Sequence, residues 1–196
     1  MLFNINPFQY GKPVSAKSFF GYERALRTIV QRILNNAQSS AIISEPRMGK
    51  TSLLHFLKSA ELRRQLPLPI QERLIFSGMD MQAFDAKRTV AHFWERALVP
   101  IHEQLIEPVP DSPLAKQYNK CYQKNFAGYS YEMERFFEML YNNNKQLVLL
   151  LDEFDTVLHH TRLNCAEFYA GLRSLASRST GGLSVVTASR LSLTEL

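Results

Sequence analysis

The chain has 196 residues, 45 % apolar and 21 % charged, with a net charge of +5 and a pI near 9.3. This composition supports one full hydrophobic core and excludes a disordered chain, and no stretch approaches the roughly 18 consecutive apolar residues of a membrane helix. The mild basic excess suits a polyanionic ligand, nucleotide or nucleic acid, although Lys and Arg are scattered along the chain.

Residues 1–18, rich in Pro, Asn and Ser, read as an extended lead-in. They lack the basic region and apolar run of a signal peptide. Phe19-Phe20-Gly21-Tyr22-Glu23 opens a helix whose apolar face is Leu26, Ile29, Val30, Ile33 and Leu34, at three- and four-residue spacings. The polar residues 35–40 end it. Ala41–Ile43 reads as the first core strand, followed by the turn Ser44-Glu45-Pro46-Arg47-Met48 and a helix from Gly49 to Ser59. Pro67 and Pro69 break the chain before a second strand, Leu74–Asp80. A helical pattern covers residues 87–106, with Val90, Phe93, Trp94, Ala97, Leu98, Ile101 and Leu105 on one face. Residues 107–129 contain three prolines and no clear period, and read as a variable insertion. Ser130 can cap the next helix, with Met133, Phe136, Phe137 and Leu140 inward and Asn142-Asn143-Asn144 closing it. The aromatic set Phe136, Phe137 and Tyr141 reads as core.

A third strand, Gln146–Asp152, carries five consecutive apolar residues, the pattern of a strand buried on both faces. It ends in Asp152-Glu153. A helix over residues 165–177 and the turn Gly181-Gly182 lead to a fourth strand, Leu183–Ala188, followed by Ser189-Arg190. Strands alternate with helices throughout, which predicts an α/β domain with a mostly parallel sheet, extending over residues 19–196. Cys121 and Cys165 fit neither a disulfide framework nor a metal set, so a reducing, cytoplasmic setting is expected. His159-His160 with Cys165 match no usual ligand spacing.

Strand, polar loop, Gly49-Lys50-Thr51-Ser52 and helix have the layout of a phosphate-binding P-loop, which asks for Gly, four residues, then Gly-Lys-Ser/Thr. Ser44 stands where the first glycine is expected. If that position needs positive φ, a cost of about 1 kcal/mol follows. Residues Ser44 to Ser52 would cradle phosphates with backbone N–H groups and a helix N-terminus. Lys50 would reach the β- and γ-phosphates, and the Thr51 hydroxyl would ligate Mg²⁺. A Gly-Lys-Thr can open a helix by chance, but the apolar strand ending in Asp152-Glu153 supplies the acids such a site needs opposite the loop. Asp152 would hold the metal and Glu153 would activate water. Asp80, at the end of the second strand, can serve the same site or cap a turn, and the turn role is favoured. Arg190 can sense a γ-phosphate or stand as a solvated residue after its strand.

Taken together, Asn6-Pro7-Phe8 through Phe20-Gly21, Pro46 to Leu54, Leu149 to Asp155 and Thr187-Ala188-Ser189-Arg190 resemble the P-loop ATPases of the AAA/STAND group, in particular small prokaryotic AAA-like ATPase domains. In that group the segment before the first helix usually reads Phe-x-Gly-Arg and lies near the adenine; here Tyr22 replaces the arginine. The resemblance implies a three-layer P-loop NTPase sandwich, ATP with Mg²⁺, and strand order 5-1-4-3-2. Four strands are accounted for, so the fifth strand and the helical lid are expected to be missing, leaving strand 1 as an apolar edge. The chain then reads as the N-terminal part of a longer protein, or as a short relative that covers the edge otherwise.

The leading expectation is a cytoplasmic Mg²⁺-dependent ATPase acting as a conformational switch on a downstream domain or protein partner, with room for homo-oligomers and no membrane role. The alternatives are a DNA-associated ATPase, such as a loader or transposition regulator, and a module that binds nucleotide without hydrolysing it.

Overall fold

In the computed structural model the described residues are 21–127, 130–177 and 182–190. The extended lead-in expected over residues 1–18 lies outside them. Strands β1 (Ser40–Ile43), β2 (Leu74–Asp80), β3 (Gln146–Asp152) and β4 (Leu183–Ser189) form one parallel sheet in the order β1-β4-β3-β2. Among the described residues this is the implied order without its fifth member. Among the described residues β1 pairs with β4 alone, and Ala41 and Ile43 on this edge are exposed.

Helices cover both faces, giving three layers. On one face lie α1 (Glu23–Asn36) and α2 (Lys50–Leu57), whose Ile29, Ile33, Leu53 and Leu57 pack on Val148, Leu150, Val186 and Ala188. On the other lie α5 (Val90–Ala97), α7 (Pro113–Gln123), α8 (Tyr131–Asn142) and α9 (Ala166–Ala176), around Leu147, Leu149, Leu151 and Val185. Every residue of β3 is buried, because its alternating side chains serve one core on each face. An aromatic network fills the larger core, with Phe93 against Phe168 at 4.9 Å and against Trp94 at 5.3 Å between ring centroids.

At the amino ends of the strands, buried Gln146 ties the layers together. Its amide nitrogen donates to the Ile33 carbonyl (3.1 Å) and the Ser184 hydroxyl (2.8 Å). Its amide oxygen accepts from the Arg73 guanidinium, which also reaches the Leu34 carbonyl. One side chain thereby links α1, β3, β4 and Arg73, the residue before β2, and satisfies a polar group that would otherwise be costly to bury.

Several elements differ from the sequence expectation. Pro67 lies between two short helices, α3 (Ala60–Gln65) and α4 (Leu68–Arg73), and Pro69 sits in the first turn of the second, where its missing N–H costs nothing. The helix expected over residues 87–106 divides before Pro100 into α5 and α6 (Val99–Ile101), which continues as a π-helical turn, His102–Ile106. Residues 107–129 contain α7, capped by the Ser112 hydroxyl, with Leu114, Ala115, Tyr118 and Cys121 buried. Its inner face is small or only partly apolar, which conceals the period. Burial raises the Cys121 thiol and the Tyr118 phenol to about 12 each, so both are neutral. Phe136 and Phe137 are core, but Tyr141 is exposed, because it stands about 90° around α8 from the inner face.

Gly182, at the start of β4, approaches the backbone of α8 so closely that a built Cβ would overlap the Phe137 carbonyl oxygen. Since backbone cannot yield as a flexible side chain does, Gly182→Ala is expected to destabilise the domain by about 1–3 kcal/mol, measured as a lower urea midpoint with an unchanged m-value.

Candidate functional site

The sheet order brings three separate sequence segments to one edge of the molecule. Ile43 pairs with Ser189, and Leu151 with Thr187, so β1, β4 and β3 end at nearly the same level. The loop Ser44–Gly49 leaves β1, Arg190 leaves β4, and Asp152-Glu153 closes β3. The Ser44 N–H donates to the Ser189 carbonyl at 3.4 Å, tying the loop to the end of β4.

The loop passes from β1 into α2 through left-handed backbone at Arg47 (φ +67°) and Gly49 (φ +83°). Ser44 is not among the positive-φ residues, so the cost anticipated for its missing glycine does not arise. The strain falls on Arg47 instead. Glu45, Pro46, Arg47 and Met48 are exposed, whereas Lys50 is buried. The Lys50 ammonium turns back to the carbonyl oxygens of Ser44 (2.7 Å) and Glu45 (3.0 Å). A buried cation is thus held by neutral dipoles of the loop, a weaker arrangement than pairing with an anion. Tyr22, just before α1, donates its phenol hydrogen to the Met48 carbonyl.

The acids at the end of β3 adopt distinct positions. Asp152 is buried, and its Oδ1 accepts from the Glu153 N–H at 3.0 Å. Glu153 has left-handed backbone (φ +49°) and opens a 3₁₀ helix, Phe154–His159, in which its carbonyl accepts from the Thr156 N–H and hydroxyl. Of the non-glycine residues with positive φ, Ala37, Asn125, Phe126 and Asn144 lie just past helix ends, where this conformation is common. Among the described residues, Arg47 in the loop after β1 and Glu153 directly after β3 hold this conformation after a strand rather than past a helix end, where such strain marks a constrained site.

Arg190 connects Glu153 to a further acid, Asp155. Its Nε donates to Glu153 Oε2 at 2.9 Å, and a terminal nitrogen lies 2.7 Å from the same oxygen. Asp155 Oδ2 is 3.8 Å from Nε, and Asp155 Oδ1 accepts from the Arg190 N–H at 3.4 Å. Hydrogen bonding to Glu153 raises the guanidinium pKa further, with the Asp155 charge adding to it. Arg190 is therefore half-exposed and paired with Glu153 and Asp155, the two acids just after β3. Asp155 is a contributor that the sequence pattern did not single out: a third acid after a strand has no distinctive spacing.

Thr51 and Asp152 line one cleft of about 380 Å³, together with Asp80. A hydroxyl and carboxylates are hard oxygen donors that fit Mg²⁺, and Asp80 and Asp152 stand opposite each other in the register of β2 and β3. Asp80 is engaged locally, with Oδ1 accepting from the Gln82 N–H at 2.9 Å, so it has the turn role expected of it. Ser52 is buried in α2. Away from this region, His160 is used structurally. Its Nε2 lies 2.9 Å from the Asp85 carbonyl, and its Nδ1 accepts from the Leu163 N–H at 3.0 Å.

No family model matches the chain, and no curated protein matches it. Among solved structures it is similar in fold to a Walker-type ATPase of Pyrococcus abyssi, with TM-score 0.54 and 15 % identity over 94 % of this chain and 49 % of that one. It is also similar to the ORC2 protein of Aeropyrum pernix in its ADPNP-ADP complexes, with TM-score 0.50 and 19 % identity over 86 % of this chain and 39 % of that one. The chain thus spans less than half the length of either structure. The fold is that of the P-loop ATPases.

The Arg190–Glu153 pair is partly solvated, and such pairs contribute little to folding. Arg190→Ala is accordingly expected to leave the urea midpoint nearly unchanged; a large drop would identify the pair as structural.

Proposed function

We propose that this chain binds ATP with Mg²⁺ and hydrolyses it, as an AAA/STAND-type switch acting on a downstream domain or protein partner. The observation that carries this reading is the meeting, on three neighbouring strand ends, of a P-loop, an arginine and a pair of acids, with Arg190 bonded to Glu153. On this reading residues 19–196 are the ATPase core, residues 107–129 a variable insertion, and the setting cytoplasmic. Residues Ser44 to Ser52 bind the phosphates through backbone N–H groups and the N-terminus of α2. Lys50 exchanges its two loop carbonyls for β- and γ-phosphate oxygens, a charge-assisted gain. Thr51 and Asp152 would hold the metal, which would supply positive charge against the phosphates.

Glu153 serves as the general base, orienting water and accepting its proton. In the structure its carboxylate is occupied by Arg190. A γ-phosphate brings a competing anion for the guanidinium. Transfer of Arg190 from Glu153 to the γ-phosphate would free the base and stabilise charge on the transferring group in one exchange. ADP lacks that anion and leaves the pair intact, which gives the switch a chemical basis.

A DNA-associated ATPase is a second reading. It is supported by the net charge of +5 and by the fold likeness to the ORC2 protein. Salt-dependent DNA binding, or turnover that rises with DNA, would favour it.

The test is ATP affinity and turnover for wild type, Lys50→Ala and Glu153→Gln, with and without DNA. Lys50→Ala is expected to lose ATP binding. Glu153→Gln is expected to bind ATP while turning over about 10²–10⁴-fold more slowly, the usual worth of a general base. Equal turnover in all three proteins contradicts the mechanism. Wild type that binds ATP without turnover supports the non-hydrolysing alternative.

A further inference from the structure

We propose that Tyr22 is a positioning residue for the phosphate loop, fixing the Met48–Gly49 peptide so that the Gly49 N–H faces the concavity where a phosphate sits. The inference rests on the nucleotide-binding reading above. Tyr22 stands at the N-cap of α1, a helix anchored in the core by Ile29 and Ile33 beside α2. Its phenol donates to the Met48 carbonyl. Its ring fills the space a side chain at position 49 would need: a Cβ built on Gly49 comes within 3.3 Å of a Tyr22 ring carbon and 3.4 Å of its hydroxyl. Gly49 therefore supplies both its left-handed φ and room for this ring.

The orientation follows from peptide geometry. In a trans peptide the carbonyl of one residue and the N–H of the next point in opposite directions, and the described chain has no cis peptide. Turning the Met48 carbonyl toward Tyr22 turns the Gly49 N–H away from it. The loop itself does little to hold this plane. Its internal Met48-to-Glu45 backbone bond is long, at 3.4 Å, and residues 45–48 are exposed.

The loop is thus clamped at two places. Lys50 holds the carbonyls of Ser44 and Glu45, and Tyr22 holds Met48 and Gly49. When Lys50 turns to a bound phosphate, Tyr22 remains as the clamp that keeps a backbone donor aimed at it. Preorganised donors lose no ordering entropy on binding, so the benefit appears as affinity for phosphate chains whatever base they carry. Tyr22 does this from the N-cap of α1, so the position of α1 is transmitted to the phosphate site.

The experiment compares wild type, Tyr22→Phe, Tyr22→Leu and Tyr22→Gln by calorimetric titration with ATP and with inorganic tripolyphosphate, well below each protein's melting temperature. Tyr22→Phe deletes only the hydroxyl. It is expected to melt as wild type does and to bind both ligands about tenfold more weakly, the worth of one hydrogen bond. Tyr22→Leu should lose at least as much, while Tyr22→Gln, which retains a donor, should bind both ligands more tightly than Tyr22→Leu. Equal affinities for wild type and Tyr22→Phe overturn the positioning role. A loss confined to ATP, with tripolyphosphate unaffected, also overturns it, since Tyr22 would then read the base. Wild type that binds neither ligand overturns the nucleotide reading itself, and this proposal with it.

Discussion

Everything at this site depends on β4 lying between β1 and β3. It is the last of the described strands in sequence, yet it is central in the sheet, hydrogen-bonded on both sides in parallel register. No local hairpin can produce this arrangement. Each parallel pairing needs a crossover, so the three strand ends come together only when the whole domain has closed. Two features make the closure possible. Gly182 lets β4 start against the backbone of α8, and buried Gln146 spans α1, β3 and β4 at the opposite end of the sheet from the loop. The geometry of the candidate site is therefore a property of the core.

At the other end of the strands, Lys50, Arg190 and Asp152 are each held by a partner within the site. Lys50 rests on two carbonyls, Arg190 on Glu153 with Asp155 beside it, and Asp152 on the Glu153 N–H. On the proposed reading a polyphosphate replaces the partners of both cations, because a doubly charged oxyanion offers each of them more than a dipole or a shared carboxylate does. Strain at Arg47 and Glu153 points the same way. These residues hold unfavourable backbone where the loop and the acids must be aimed, on a sheet rigid enough to sustain it.

The fold was legible to the extent that its determinants are local. The seven-residue runs of β2 and β3 and the short apolar run of β1 announce strands, and a helical lid and fifth strand aside, the implied strand order is the observed one. α7 escaped because Ala, Tyr, Gln and Cys on its inner face do not look like a core face, and Tyr141 was misplaced because it lies just off the buried arc of α8. In the candidate site, the Gly-Lys-Thr and Asp-Glu motifs mark their own positions. The Arg190–Glu153 bond, the Asp155 contact and the Tyr22–Met48 bond could not be read, since each joins residues brought together by the sheet or by α1. Ser44 looked costly for a related reason: a motif records which residue is usual at a position, whereas the backbone decides where positive φ falls, and here it falls on Arg47.

The central claim, that the P-loop and the end of β3 form one metal–nucleotide site, is tested most directly by electron paramagnetic resonance of Mn²⁺ in place of Mg²⁺, with ADPNP. Wild type is expected to bind one Mn²⁺ showing coupling to phosphate phosphorus, and Asp152→Asn to lose that bound population while retaining the fold. An Asp152→Asn protein with the same Mn²⁺ occupancy and the same phosphorus coupling as wild type would contradict it.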